Sequence, residues 1–161
     1  MNKFHWCGFS LLGIMAMSMM VSCGKSSDEN LDKLFEKMES DVTGIDFVNT
    51  VPENDTLNQF IYHYLYNGNG VAIGDINNDG LNDLYFTGNE QSSRLYLNKG
   101  DFKFEDITEK SGTGTKQWIS GVTMVDVNND GWLDIYACSS GPLKGKDSKR
   151  NRLFLNQKNE T

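Results

Sequence analysis

Two nine-residue clusters set acidic and amide oxygens at regular spacing. The first is Asp75-Ile76-Asn77-Asn78-Asp79-Gly80-Leu81-Asn82-Asp83, and the second is Asp126-Val127-Asn128-Asn129-Asp130-Gly131-Trp132-Leu133-Asp134. Both fit D-x-N-x-D-G-x-x-D with an apolar residue at position two. Calcium, a hard cation, takes about six to eight oxygen ligands. Asp75, Asn77 and Asp79 offer side-chain oxygens at alternate positions, and Gly80 permits a positive-φ bend. The Leu81 carbonyl and the Asp83 carboxylate then close the shell. In the second copy the same roles fall to Asp126, Asn128, Asp130, the Trp132 carbonyl and Asp134. Without a cation, three carboxylates at such spacing repel one another. The loop begins like an EF-hand, but position twelve holds Phe86 or Ala137 in place of the bidentate Glu. A single copy could be an Asx-rich turn that binds nothing. Two copies in one phase favour calcium.

The elements around the clusters repeat as well. The clusters start 51 residues apart, and their flanks repeat at the same offset. Gly70–Gly74 matches Gly121–Val125, and Leu84–Phe86 matches Ile135–Ala137. These flanks alternate with period two, so the loops join strands and not helices. The first unit predicts strands at Val71–Ile73, Leu84–Thr87 and Arg94–Leu97. The turn Asn98-Lys99-Gly100-Asp101 leads to a last half-buried strand through Phe102, Phe104 and Ile107. The second unit predicts strands at Gly121–Val125, Asp134–Cys138 and Arg152–Leu155, with a basic, Gly-rich loop at 141–150. Four short strands in ~50 residues is the size of a β-propeller blade. Upstream, Leu31, Leu34, Phe35 and Met38 have helical spacing, bounded by Gly44. Ile45–Val48 and Phe60–Tyr66 read as strands, separated by a loop over residues 49–58.

The segment from about Thr43 to Asn156 resembles the FG-GAP/VCBS repeat family, in its ASPIC/UnbV-associated bacterial branch. The resemblance rests on Gly70–Asp75, the two Asp loops, Arg94–Gly100 and Phe102–Thr108. It implies a β-propeller like the integrin α-subunit head, with calcium in the blade loops. Such rings usually have about seven blades, and this chain supplies about two. The expected fold is therefore all-β, a partial propeller, with the chain forming the N-terminal part of a larger protein.

The N-terminus reads as a targeting segment. Lys3 and His5 precede an apolar stretch from Phe9 to Val21. A membrane span needs roughly 20 apolar residues, so the stretch fits a signal-peptide core. Ser22-Cys23-Gly24 resembles a bacterial lipobox, with Met20 where Leu is usual. Cleavage before Cys23 and lipidation of its thiol would anchor the mature chain to a membrane. The expected organisation is a signal peptide at 1–22, a tether and short helix at 23–40, and repeats at 41–161. The expected location is the bacterial cell envelope, as an outer-membrane lipoprotein on its periplasmic or surface face. Only Cys138 then remains as a thiol, so no internal disulfide is available. Loss of residues 1–22 removes Lys3 and no acid, taking the formal charge from −7 to −8. An acidic chain of this kind does not suit nucleic acid, whose phosphates call for Lys and Arg.

Other residues are less telling. His63 lies among Tyr62, Tyr64 and Tyr66, which read as one strand face: propeller packing, or a ligand platform. Trp118 and Trp132 suit blade packing or the rim. The basic run Lys144, Lys146, Lys149, Arg150 and Arg152 suits a solvated loop or an acidic partner. No Ser/His/Asp or Cys/His set and no phosphate-binding Gly loop is recognisable. The sequence thus predicts a non-catalytic, calcium-binding, lipid-anchored propeller segment that binds an unknown protein or glycan. The alternatives are a non-catalytic module of a larger envelope enzyme or nutrient-capture complex, and a partnerless scaffold.

Overall fold

The computed structural model describes residues 34–142 and 149–159. Cys23, the signal segment, Lys144 and Lys146 lie outside the described residues. The chain divides into Met1–Lys37 and a compact unit, Met38–Thr161, which holds both repeats.

Period-two alternation produces two antiparallel meanders. The first sheet runs β1 (Val71–Gly74), β2 (Asp83–Phe86), β3 (Arg94–Asn98) and β4 (Phe104–Asp106), in that order. The second runs β5 (Ile119–Val125), β6 (Asp134–Ser139) and β7 (Arg152–Phe154). Each Asp loop spans the first two strands of its sheet. The remaining helices are single turns, α1 (Ser40–Thr43) and α2 (Thr108–Ser111), each closed by a left-handed glycine, Gly44 or Gly112. Among the described residues, no helix is long and apolar enough to cross a membrane.

The core forms between the sheets. Ala72 pairs with Tyr85, and Tyr85 with Leu95. Together with Leu97, Ile107 and Ile135 these residues make one buried cluster, and Val122, Met124 and Phe154 pack against it. The 51-residue offset maps Ala72 onto Thr123 and Ile73 onto Met124. Yet Ala72 and Met124 are the two that meet the core, while Ile73 and Thr123 face solvent. The sheets therefore present opposite faces to each other, as successive blades do. This is a partial, all-β, propeller-like fold. Gly70 and Gly74 allow β1 to lie close to β5. A Cβ on Gly70 would stand 2.8 Å from the Val122 amide nitrogen, and one on Gly74 would stand 2.7 Å from Leu133 Cδ1.

Three upstream expectations are corrected. Ile45–Val48 is not a strand. It lies on the outer face of the first sheet as a strap without a β-ladder. Phe47 stacks on Phe86 with ring centroids 5.5 Å apart, and Asp46 accepts the Tyr96 hydroxyl at 2.8 Å. Phe60–Tyr66 is a run of turns, so Tyr62, Tyr64 and Tyr66 share no strand face. The Asn58 carboxamide oxygen accepts the Phe60 and Ile61 amides, taking groups that a ladder would use. Tyr62 packs edge-on against Trp118, Tyr66 donates to Glu53, and Leu65 alone is fully buried. His63 is exposed. In the proposed helix, residues 31–33 lie outside the described residues and residues 34–38 are not helical. Leu34 and Phe35 are more than four-fifths exposed, so no apolar surface stabilises a helix there. The last strand of the first unit is shorter than expected as well. Phe102 sits in the turn with φ 56°, and Ile107 is buried just beyond β4.

Asp106 ends β4. Burial alone would raise its carboxyl, but the Thr108 hydroxyl and amide and the Arg94 guanidinium, 2.5 Å away, hold it below the usual value. A depressed carboxyl contributes stability present above its unfolded pKa, about 3.9, and lost as pH falls through the lower folded value. Asp106→Asn should therefore flatten the loss of thermal stability below about pH 4, as read by melting curves between pH 7 and pH 2. Gly70→Ala should destabilise by about 1–3 kcal/mol in urea unfolding, because its new methyl meets main chain. Gly74→Ala meets only flexible side chains and should destabilise less.

Candidate metal-binding loops

Both loops fold on the same internal hydrogen bonds. Asp75 Oδ1 accepts the Asp79 amide at 3.1 Å, and Oδ2 accepts the Gly80 amide at 2.8 Å. Asp126 does the same with Asp130 and Gly131, at 3.1 and 2.8 Å. Asn77 Oδ1 also accepts the Asp79 amide, and Asn128 Oδ1 the Asp130 amide. Asp79 Oδ1 accepts Leu81 N–H at 2.8 Å, and Asp130 Oδ1 accepts Trp132 N–H at 3.0 Å. Asn78 and Asn129 hold φ near 58–59°, with Gly80 and Gly131 at 85–87°. Asn is one of the few residues with a side chain that visits this left-handed region readily.

The ninth residue of each cluster has a different part. Asp83 and Asp134 are fully buried. Asp83 Oδ2 accepts the Ile76 amide at 2.9 Å, and Oδ1 accepts the Asn98 amide at 2.7 Å. Asp134 repeats this with Val127 at 3.1 Å and Asn156 at 2.7 Å. Each carboxylate thus clamps the start of its loop to the end of the third strand. Burial pushes the Asp83 carboxyl up, the Asn98 and Ile76 amides pull it back, and the charges of Asp79 and Asp75 push it up again.

Several site residues did not stand out in the sequence. Asn98 and Asn156 each give Asp83 or Asp134 an amide, and their side chains hold loop carbonyls at Asn82 and Leu133. Their shared signal is Leu-Asn at the end of β3 and just past β7, but they lie 58 residues apart, not 51, because the basic loop lengthens the second unit. Asn156 also donates to Ile76 O at 2.7 Å, and Asn78 donates to Gly131 O at 3.2 Å. These two bonds join the loops to each other.

The donor chemistry fits a hard divalent cation: Asp75, Asn77 and Asp79 carry oxygen donors at one end of the sheet, and Asp126, Asn128 and Asp130 match them. In the structure these oxygens turn to main-chain N–H groups. The Asn77 and Asn128 NH2 groups point at Asp79 Oδ2 and Asp130 Oδ2, at 2.9 and 3.0 Å. Among the described residues, no three acidic, histidine or cysteine side chains converge on one point. The Asn77 amide, followed by the Leu81 N–H, holds the Asp79 carboxyl below its usual value. For Asp130, desolvation opposes the shift, but Trp132 N–H, Asn128 and Lys158 outweigh it.

Asp83→Asn and Asp134→Asn each replace a carboxylate oxygen with an NH2 facing a buried main-chain donor. Each should cost about 1–3 kcal/mol in chemical denaturation without added metal, whereas Asp79→Asn at the exposed loop should cost less.

Residues 75–137 match the FG-GAP-like repeat family. The chain is 36% identical over 90 residues to Cartilage acidic protein 1 of Xenopus tropicalis, a match covering 55% of this chain and 13% of that protein. It is 27% identical to Integrin alpha-8 of Gallus gallus over 161 residues, covering 87% of this chain and 15% of the integrin. The chain thus spans less than a sixth of the length of these relatives. No solved structure gives a significant match. The doubled loop and the stacked meanders thus coincide with a segment, residues 75–137, that is an FG-GAP-like repeat.

Proposed function

We propose that this chain is a calcium-braced, non-catalytic binding module of the adhesion or protein-interaction kind. The observation that carries this reading is the duplication. The same oxygen-rich loop sits at the same corner of two stacked sheets, and Asn78 and Asn156 tie the loops together. Asp75, Asn77, Asp79 and the Leu81 carbonyl would hold one ion, with Asp83 behind them. Asp126, Asn128, Asp130 and the Trp132 carbonyl would hold a second, with Asp134 behind. Bound calcium supplies positive charge that offsets the repulsion among these carboxylates. The chain's own residues fix the strand ends, so that neighbouring loops meet a protein or glycan partner as a preset surface. The likeness to an integrin α-chain supports interaction over catalysis. The lipobox-like Ser22-Cys23-Gly24 supports anchoring through lipidated Cys23 in a bacterial outer membrane.

Affinity should fall on the order of 10⁻⁵ to 10⁻³ M, as for other extracellular calcium modules. At a hundredfold excess over Kd, one site adds about 2.7 kcal/mol. Calcium at about a hundredfold over Kd, ~1 mM to ~100 mM across this range, should therefore raise the melting temperature by several degrees, and EDTA should reverse the rise. Superimposable melting curves in calcium and EDTA would refute this reading.

A further inference from the structure

The two loops are alike in their internal bonds but differ in what approaches them. Lys158 Nζ lies 3.3 Å from Asp130 Oδ2. Among the described residues, Asp79 in the first loop makes no ion pair. The nearby Lys99 is held instead by Glu105, 3.1 Å away. The difference traces to one position in the turn that follows the third strand. In the first unit Asn98 Oδ1 accepts Gly100 N–H at 2.9 Å, and Gly100 has φ 83°. In the second, Asn156 Oδ1 accepts Lys158 N–H at 2.8 Å, and Lys158 has φ 62°. Lys158 thus occupies the glycine's place in the same Asx turn. A lysine in the left-handed region is strained relative to glycine. Its backbone is fixed by Asn156, which is itself bonded to Asp134, Leu133 and Ile76.

We propose that Lys158 is a tethered counter-ion that competes with calcium for Asp130, so that the second loop fills at higher calcium than the first. This rests on the calcium reading above. The ammonium supplies a single charge at the oxygen where a divalent ion would take a ligand, and it must swing away before the ion is fully coordinated. Both side chains are partly exposed, 46% for Lys158 and 23% for Asp130, so the competition is mild. Pairs of this kind correspond to about a two- to fivefold change in an equilibrium constant. Added salt should shrink the gap between the loops, because the pair is screened.

The test is calorimetric titration of the full chain with calcium chloride. Asp79→Asn weakens the first loop so that the second is read alone, and Asp130→Asn does the reverse. Lys158→Met should tighten binding about two- to fivefold in the Asp79→Asn background and change nothing in the Asp130→Asn background. Lys158→Gly should tighten binding likewise and also raise the melting temperature by relieving the backbone. Lys158→Arg should leave the affinity unchanged. Melting curves confirm that each variant is folded. Unaltered calcium affinity on removing the lysine overturns the competition and leaves the calcium reading standing. No binding heat in the unaltered chain overturns both.

Discussion

Two buried carboxylates keep the sheets and loops in register. Asp83 and Asp134 each accept two main-chain N–H groups, one from the start of the Asp loop and one from an asparagine, Asn98 or Asn156, at or just past the end of the third strand. A buried charge without partners would be very unfavourable. Hydrogen bonds to a charged group contribute about 1.5–3 kcal/mol each, and here they meet three distant stretches of chain at one point. The loop is thereby held at both ends before any ligand is considered. The clamp also explains why the ninth position of the motif is Asp in both copies.

From this clamp the stacking follows. With the loop ends fixed, β1 and β2 stay paired from Val71–Phe86 to Gly74–Asp83, and β5 and β6 pair in the same way up to Val125–Asp134. Period two then sends Ala72, Tyr85 and Leu95 to one face. Glycines before and after Ala72 let the next sheet approach until Val122 and Met124 close the core. The open face of the second sheet still carries Val125, Leu153 and Leu155, each about half exposed. The first sheet is covered on its outer side by the strap at Asp46 and Phe47.

The sequence made the repeats legible because their signals are local and doubled. The D-x-N-x-D-G-x-x-D spacing, the alternation around Ala72 and Tyr85, and the Gly-bearing turns all act within a few residues. The segment before Val71 departs from its sequence pattern because its outcome depends on competition. Asn58 captures the amides of Phe60 and Ile61, so an aromatic run with high strand propensity becomes turns. Ile45–Val48 alternates like a strand but finds ring and hydroxyl partners on Phe86 and Tyr96 instead of a ladder. At the loops, composition indicated oxygen donors but not their division of labour. That Asp83 serves the backbone with both oxygens, and that Asn98, Asn156 and Lys158 belong to the same corner, depends on chain brought in from the far side of each sheet.

Calcium bracing requires that these corners hold a divalent cation. Trp132 is a residue of the second loop, close in sequence to its donors, so its indole can sensitise a lanthanide bound at that corner. Excitation of the protein with terbium present should give sensitised emission that calcium displaces and that Asp126→Asn or Trp132→Leu removes. Absence of emission, or emission indifferent to calcium and to both substitutions, would contradict a cation at this corner.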